Sequence, residues 1–262
     1  MTTRKAHLYL TLLCLAATFA LSCSTKQAVR PVDAISQYEK AKARYDARRY
    51  LEAAEQFKIL LAQFPGSKYA EPATFFLGKS HYEEREYPLA QVEFERIIKE
   101  FPRGSYAEES AFMLGMCAYK ERRSAPYDQT QTESAVTLLE TYVDSYPDGA
   151  FVAKARQKIQ ECRSILAHKL YLNGQLYIKL GDFGAARSCF EELREKYGDS
   201  SWAGLAILGI ADSYERQKDW QKARETYEIA AGQETNTELA KRAQSRLEKL
   251  RGKTTKQVTQ SP

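Results

Sequence analysis

The sequence contains two segments that are similar over 19 residues. Residues 64–82 read FPGSKYAEPATFFLGKSHY, and residues 101–119 read FPRGSYAEESAFMLGMCAY. The Phe-Pro pair, the Tyr-Ala-Glu triplet, the Leu-Gly pair and the final Tyr coincide at an offset of 37 residues (101 − 64 = 37). A unit that recurs every 20 to 50 residues or so is typical of a solenoid, in which each unit packs on its neighbour.

Five copies of the unit are recognisable from the second of two predicted helices. Each has an aromatic or polar first residue, Ala three residues later and an apolar residue four beyond that Ala. The copies are YLEAAEQF from Tyr50, YPLAQVEF from Tyr87, TESAVTLL from Thr132, FGAARSCF from Phe183 and WQKARETY from Trp220. The preceding helix of each copy carries a small residue, which lets the two helices approach closely. These small residues are Ala41, Gly78, Gly115, Gly174 and Ala211.

This pattern resembles the tetratricopeptide repeat, a helix-turn-helix unit of about 34 residues. It predicts an all-α fold, a superhelix of about five helix-turn-helix repeats. Two irregularities add detail. The polar segment RRSAPYDQTQTE, residues 122–133, predicts a protruding loop in the third repeat. In addition, 27 residues separate Pro147 from Gly174, whereas 13 separate Pro65 from Gly78, so we expect the first helix of the fourth repeat to be extended by about four turns.

The N-terminus predicts export and lipid attachment. Residues 1–22 join the basic head MTTRKAH to the apolar run LYLTLLCLAATFALS, which is typical of a signal peptide and short for a membrane span. Ala20-Leu21-Ser22-Cys23 resembles the lipobox of bacterial lipoproteins, although Leu is more usual than Ala at its first position. The resemblance implies lipidation of Cys23, a lipidated tether over residues 23–32, and, through Ser24, sorting to the outer membrane. An ordinary signal peptide with an incidental cysteine is the alternative.

Charge and motifs argue against several functional classes. The formal net charge is +5, and basic and acidic residues are interspersed, so no nucleic-acid partner is expected. No GxSxG, HExxH, CxxC or glycine-rich phosphate loop occurs, so neither an enzyme, a metal nor a cofactor is expected. We interpret His81 as a packing residue. The odd number of cysteines beyond the tether leaves two alternatives open, one disulfide or buried thiols only, for Cys117, Cys162 and Cys189.

Aromatic residues recur on one face of the first helices. In the first three repeats they stand three residues before and four residues after the small residue, and a third side chain follows the small residue directly. The pairs fail in the last two repeats, where Ile178, Leu208 and Glu215 occupy these positions. Such spacing places each trio on one helical face, the concave face of a tetratricopeptide array, where peptides lie. We predict a substrate groove in the first three repeats, with the inter-repeat core as the alternative location of these side chains. The predicted groove residues are Tyr38, Lys42, Tyr45, Phe75, Lys79, Tyr82, Phe112, Met116 and Tyr119.

The order of features resembles the BamD family, the tetratricopeptide lipoproteins of the machinery that assembles outer-membrane β-barrel proteins. The resemblance rests on the lipobox, the Tyr-rich early repeats, the FPGSKYAE-type turns, the YDQTQTESA insertion and the segment YPDGAFVAKARQKIQECRSILAHKLYLNGQLYIKLGDFGAA, and it covers residues 30–245 or so. It implies an outer-membrane lipid anchor on the periplasmic face. It also implies three kinds of partner: the periplasmic domains of BamA, other assembly-machinery lipoproteins, and unfolded outer-membrane β-barrel polypeptides.

Together these features divide the chain by function. Residues 33–149 are expected to form repeats 1–3 with the substrate groove, and residues 150–250 to form repeats 4 and 5, with the extended helix and the partner-binding surface. Residues 251–262 are expected to form a flexible tail. The alternative function is a periplasmic repeat lipoprotein that coordinates Tol-Pal and the cell envelope or pilus assembly.

Overall fold

The computed structural model describes residues 33–232 and 237–258, and its elements in those ranges are eleven α-helices. The predicted signal peptide, residues 1–22, the predicted lipidated tether, residues 23–32, and Cys23 lie outside the described residues. The helices, in order, are α1 (Ala34–Asp46), α2 (Tyr50–Gln63), α3 (Ala70–Glu83), α4 (Tyr87–Glu100), α5 (Ala107–Glu121), α6 (Thr130–Ser145), α7 (Val152–Leu180), α8 (Phe183–Lys196), α9 (Ala203–Arg216), α10 (Trp220–Ala231) and α11 (Thr237–Val258). Each helix packs mainly on the next one along the chain, so the predicted tetratricopeptide-repeat superhelix is confirmed.

The helices of each hairpin approach at the predicted small residues. A Cβ placed on Gly78 would lie 2.9 Å from Cε1 of Phe94, and one placed on Gly174 would lie 2.5 Å from Cε1 of Phe190. No larger residue fits at either position unless the ring moves, because real Cβ contacts are almost never so short. The alanines of the second helices are fully buried at the same contacts: Ala53, Ala90, Ala135, Ala186 and Ala223.

The turn inside a hairpin has the same form in four of the repeats. Arg48, Arg85, Gly181 and Lys218 adopt positive φ angles of 59°, 64°, 81° and 64°, and each stands two positions before the first residue of the second helix. The left-handed residue reverses the chain within three residues. The third repeat is built differently, because the eight residues 122–129 connect α5 to α6.

The segment 122–129 is an anchored loop. The side-chain amide of Gln129 is buried and donates to the carbonyl oxygens of Ser124 at 2.9 Å and Tyr127 at 3.0 Å. From α7, Lys169 Nζ donates to the carbonyl of Pro126 at 3.1 Å. The expected protrusion is therefore limited to exposed side chains such as Tyr127, because α6 begins at Thr130 and shortens the loop.

Helix α7 belongs to two hydrophobic cores. It contains 29 residues, which confirms the predicted extension of the fourth repeat. Ala155, Ile159 and Cys162 in its first half pack with buried residues of α4, α5 and α6. Ala167 and Ile178 in its second half pack with buried residues of α8 and α9. One continuous helix thus closes the N-terminal repeats and opens the C-terminal repeats.

Candidate substrate groove

The nine predicted groove residues fall into two classes. Five are partly exposed on α1 and α3: Tyr38, Lys42, Tyr45, Lys79 and Tyr82. Four are buried, with exposed fractions of 2 to 6%: Phe75, Phe112, Met116 and Tyr119. These four side chains lie in the inter-repeat core, which was the alternative location. We call the five partly exposed residues the aromatic ledge.

The first aromatic of each trio stacks on the next repeat. Tyr38 stacks on Tyr69 with ring centroids 5.0 Å apart, and Phe75 stacks on Tyr106 at 4.4 Å. Tyr69 and Tyr106 are the residues that directly precede α3 and α5. Phe112 repeats the arrangement against Phe151, which precedes α7, at 4.8 Å and an interplanar angle of 8°. These stacks hold successive repeats together, since offset aromatic pairs add to the free energy of burial.

The glutamate of the Tyr-Ala-Glu triplet links neighbouring repeats as well. Glu71 Oε1 accepts the backbone N–H of Tyr106 at 2.8 Å. Glu108 Oε1 accepts the backbone N–H of Ala150 at 2.7 Å and the hydroxyl of Tyr142 at 3.0 Å. Each carboxylate therefore satisfies a free donor near the N-terminus of the next repeat's first helix, where negative charge is also favoured. The repeated Tyr-Ala-Glu triplet marks the glutamates in the sequence. It does not identify their partners, which stand 35 and 42 residues away.

The second aromatics, Tyr45 and Tyr82, lie at the ends of α1 and α3. Tyr45 meets Tyr50 edge-on at 5.4 Å, and Tyr82 meets Tyr87 at the same distance. Burial raises the pKa of Tyr45 to about 12 and also raises the pKa of Tyr82, so both phenols stay protonated at neutral pH. Neither hydroxyl has a hydrogen-bond partner within the described part of the chain, so both can donate to a bound peptide.

The two ledge lysines are already paired with acids. Lys42 Nζ lies 2.5 Å from Asp46 Oδ1 and 4.8 Å from the centroid of the Phe76 ring. Lys79 Nζ lies 3.3 Å from Oε1 of Glu109 on α5. Sequence reasoning considered the lysines without their partners, although Asp46 stands four residues after Lys42. A ligand carboxylate would share each ammonium group with the resident acid.

Helix α7 closes the groove at the third repeat. The hydroxyl of Tyr119 donates to Glu161, and the Lys158 ammonium lies 4.8 Å from the Tyr119 ring centroid. The guanidinium group of Arg122 also contacts this ring, and its carbon lies 3.6 Å from the Tyr119 ring centroid. Because Met116 is also buried, the exposed part of the predicted groove is confined to the first two repeats.

His81 and the three described cysteines are wholly or partly buried. His81 is buried, as predicted, and its Nδ1 lies 2.6 Å from Glu86 Oε2. Cys117, Cys162 and Cys189 are unpaired, and burial raises the pKa of Cys117 to about 12 and that of Cys162 to about 11. Thiols with such pKa values are unreactive at neutral pH. Among residues 33–232 and 237–258, no group of three His, Cys, Asp or Glu side chains could hold a metal ion.

Comparison with known proteins decides the family. Residues 31–228 match YfiO, the outer membrane lipoprotein family. The chain belongs to this family. The match includes the aromatic ledge, all of helices α1 to α9 and the first nine residues of α10, and of the described helices only α11 lies wholly beyond it. The predicted BamD-like lipoprotein is thereby confirmed.

Individual relatives cover less of the chain. The outer membrane protein assembly factor BamD of Caulobacter vibrioides is 31% identical over 87 residues, which is 33% of this chain and 28% of that protein. A tetratricopeptide repeat protein from Parabacteroides merdae has a TM-score of 0.37 at 15% identity, over 86% of this chain and 76% of that one. The TPR2AB domain of yeast Sti1, solved in its pHSP90 complex, has a TM-score of 0.40 at 14% identity, over 83% and 98%.

The YfiO family groups the chain with outer membrane lipoproteins, and repeat arrays of this kind are typical of non-enzymatic scaffolds. None of the described helices combines the length and the apolar character needed to cross a bilayer.

Proposed function

We propose that this chain is a scaffold of the outer-membrane β-barrel assembly machinery, anchored to the periplasmic face of the outer membrane through lipid on Cys23. The proposal is supported by the YfiO family match and by the relative from Caulobacter vibrioides, an outer membrane protein assembly factor. Residues 150–250, which form repeats 4 and 5 with the extended helix, bind the periplasmic domains of BamA, alongside other lipoproteins of the machinery. The first repeats receive unfolded barrel polypeptides.

The aromatic ledge is the observation that favours this substrate. Its tyrosines are partly exposed on adjacent first helices, and two of them, Tyr45 and Tyr82, have hydroxyls that are free to donate. A barrel polypeptide whose last strand ends in an aromatic residue and a free carboxylate would stack on these rings. Its carboxylate would reach the ammonium group of Lys42 or Lys79. Phe75, Phe112, Met116 and Tyr119 would then support the ledge from the core.

Replacement of both free-hydroxyl tyrosines tests the substrate surface. We expect Tyr45→Ala with Tyr82→Ala to reduce crosslinking to a C-terminal barrel peptide about thirtyfold, because two aromatic contacts of about 1 kcal/mol each are lost. Tyr127→Ala with Tyr177→Ala is the matched control, since both tyrosines are exposed and lie outside the ledge. Equal peptide capture by the two double variants, each verified as folded by its melting temperature, would place the substrate surface elsewhere.

Photocrosslinking on the full-length chain tests the partner surface. Leu180 and Ile229 are 69% and 57% exposed in the C-terminal repeats, and Leu51 and Leu89 are 60% and 48% exposed in the N-terminal repeats. A photoreactive amino acid at each of these exposed positions perturbs the core little. We expect BamA crosslinks from Leu180 or Ile229 and none from Leu51 or Leu89. Crosslinks from the N-terminal pair alone would reverse the proposed division.

A further inference from the structure

An open cleft lies where α11 packs on the last repeat. Its volume is about 180 Å³, and its lining is Leu208, Asp212, Tyr227, Arg242, Ser245 and Arg246. An adjoining space of about 280 Å³ shares Asp212 and Arg246 and adds Glu215 and Arg216. Helix α11 supplies two of the arginines and lies beyond residues 31–228, the part that matches the YfiO family.

The charges of the cleft do not cancel. Three arginines face two carboxylates, which leaves one positive charge in excess (3 − 2 = +1). The buried Tyr227 hydroxyl donates to Asp212 and lies 3.0 Å from Glu215 Oε2, and Arg246 Nη1 lies 3.8 Å from the same Glu215 oxygen. Both acids are thus engaged by groups other than Arg242.

Arg242 itself is exposed and makes no hydrogen bond or ion pair with any other residue that the structure describes. It lines the cleft together with Leu208, which is buried. The cleft therefore holds a guanidinium without an ion-pair partner beside an apolar side chain.

We propose that this cleft binds a peptide carboxylate, with Arg242 and Arg246 as the two guanidinium donors and an adjacent apolar side chain against Leu208. A guanidinium fork matches a planar carboxylate in two hydrogen bonds. Asp212 and Glu215 disfavour a doubly charged phosphate at the same place by repulsion. The carboxylate comes from either a chain end or an Asp or Glu side chain. This site is independent of the aromatic ledge and of the assembly function proposed above.

Calorimetric titration of the purified protein with three hexapeptides tests the site. The first is Gly-Ser-Gly-Ser-Leu-Phe with a free C-terminus, the second is its C-terminal amide, and the third is the amide with Glu in place of Leu. We expect the second peptide to bind at least tenfold more weakly than the first, because charge-assisted hydrogen bonds are lost. If the third peptide binds as tightly as the first, the carboxylate source is a side chain; if only the first binds, it is a chain end.

Matched charge changes on α11 make the test specific. Arg242→Gln with Arg246→Gln should weaken binding of the preferred peptide at least tenfold. Lys241→Gln with Lys249→Gln removes the same charge from exposed positions of the same helix that do not line the cleft, and should change binding less than about twofold. Equal loss in both double variants, no loss in the arginine variant, no binding of any carboxylate peptide, or full displacement by equimolar sulfate would overturn the proposal. Unchanged melting temperatures verify that both variants are folded.

Discussion

The two ends of the repeat array present opposite chemistry at the same structural position. The residue that follows the small residue of each first helix changes along the chain in the order Lys42, Lys79, Met116, Gln175 and Asp212. At the N-terminal end this position is a lysine, and each lysine is paired with an acidic residue of the repeats. At the C-terminal end the repeat supplies the acid, and α11 supplies the arginines that face it. A repeat scaffold can therefore keep its packing constant while the residue at this position and the terminal helix change the charges that each end presents.

The two ends also differ in how their repeats are joined. The N-terminal repeats are tied by aromatic stacks and by glutamates that reach the next helix, as at Tyr106 and Ala150. In the Tyr-Ala-Glu register the later repeats read Phe-Val-Ala and Trp-Ala-Gly, without the carboxylate. Between the C-terminal repeats, Tyr171 of α7 packs against Trp202, and buried residues of α7, α8 and α9 form one core. Helix α7 takes part in both cores and carries the connection between them.

Removal of one buried ring from each core gives the largest expected effect. Phe190 is fully buried and contacts the glycine positions of both α7 and α9, Gly174 and Gly209. We expect Phe190→Ala to lower the free energy of unfolding by about 3–5 kcal/mol, measured by urea titration, because the cavity cannot collapse against helices held on both sides. Hydrogen exchange should lose protection first in the second half of α7, in α8 and in α9.

The N-terminal counterpart is Phe94→Ala, since Phe94 is also fully buried and packs on Gly78. A similar loss of about 3–5 kcal/mol is expected, with exchange rising first in α3, α4 and α5. If either substitution raised exchange uniformly over all described helices, the chain would open as one unit. The two hydrophobic cores that α7 joins would then unfold together and not as separate units.

The repeat positions were predictable because they obey a short-range rule. A small residue and a ring must meet within one hairpin, so both are encoded within about 20 residues, and the helices that begin at Tyr50, Tyr87, Phe183 and Trp220 follow from that pattern. The exposure of the aromatics was less predictable. Spacing gives the face of a helix, but the burial of Phe112 and Tyr119 depends on α7, whose N-terminal half lies against them.

Features that depend on single long-range partners were missed. The Glu109 partner of Lys79 stands 30 residues away, and no periodicity connects the two.

Helix α11 was not anticipated as a separate element, because the landmarks of the repeat fade after the fifth copy. The helix reaches Val258 and so includes most of the segment 251–262, for which the composition predicts a flexible tail.

A smaller effect is expected from the glutamates that join the N-terminal repeats. Glu108→Ala removes the acceptor for the Ala150 N–H and for the Tyr142 hydroxyl, whereas Glu71→Ala removes the acceptor for the Tyr106 N–H. We expect losses of about 2 and about 1 kcal/mol in the free energy of unfolding, because each change leaves polar groups near a helix N-terminus without a partner.

Thermal or urea unfolding measures these losses, with Glu140→Ala on the exposed face of α6 as the control, expected within about 0.5 kcal/mol of the unaltered chain. Local hydrogen exchange should rise at the start of α7 for Glu108→Ala and at the start of α5 for Glu71→Ala, and should be unchanged in α9 and α10 for both. If the two variants behave like the Glu140 control, the carboxylates do not hold the repeats together. The absence of the glutamate from the later repeats would then have no energetic meaning.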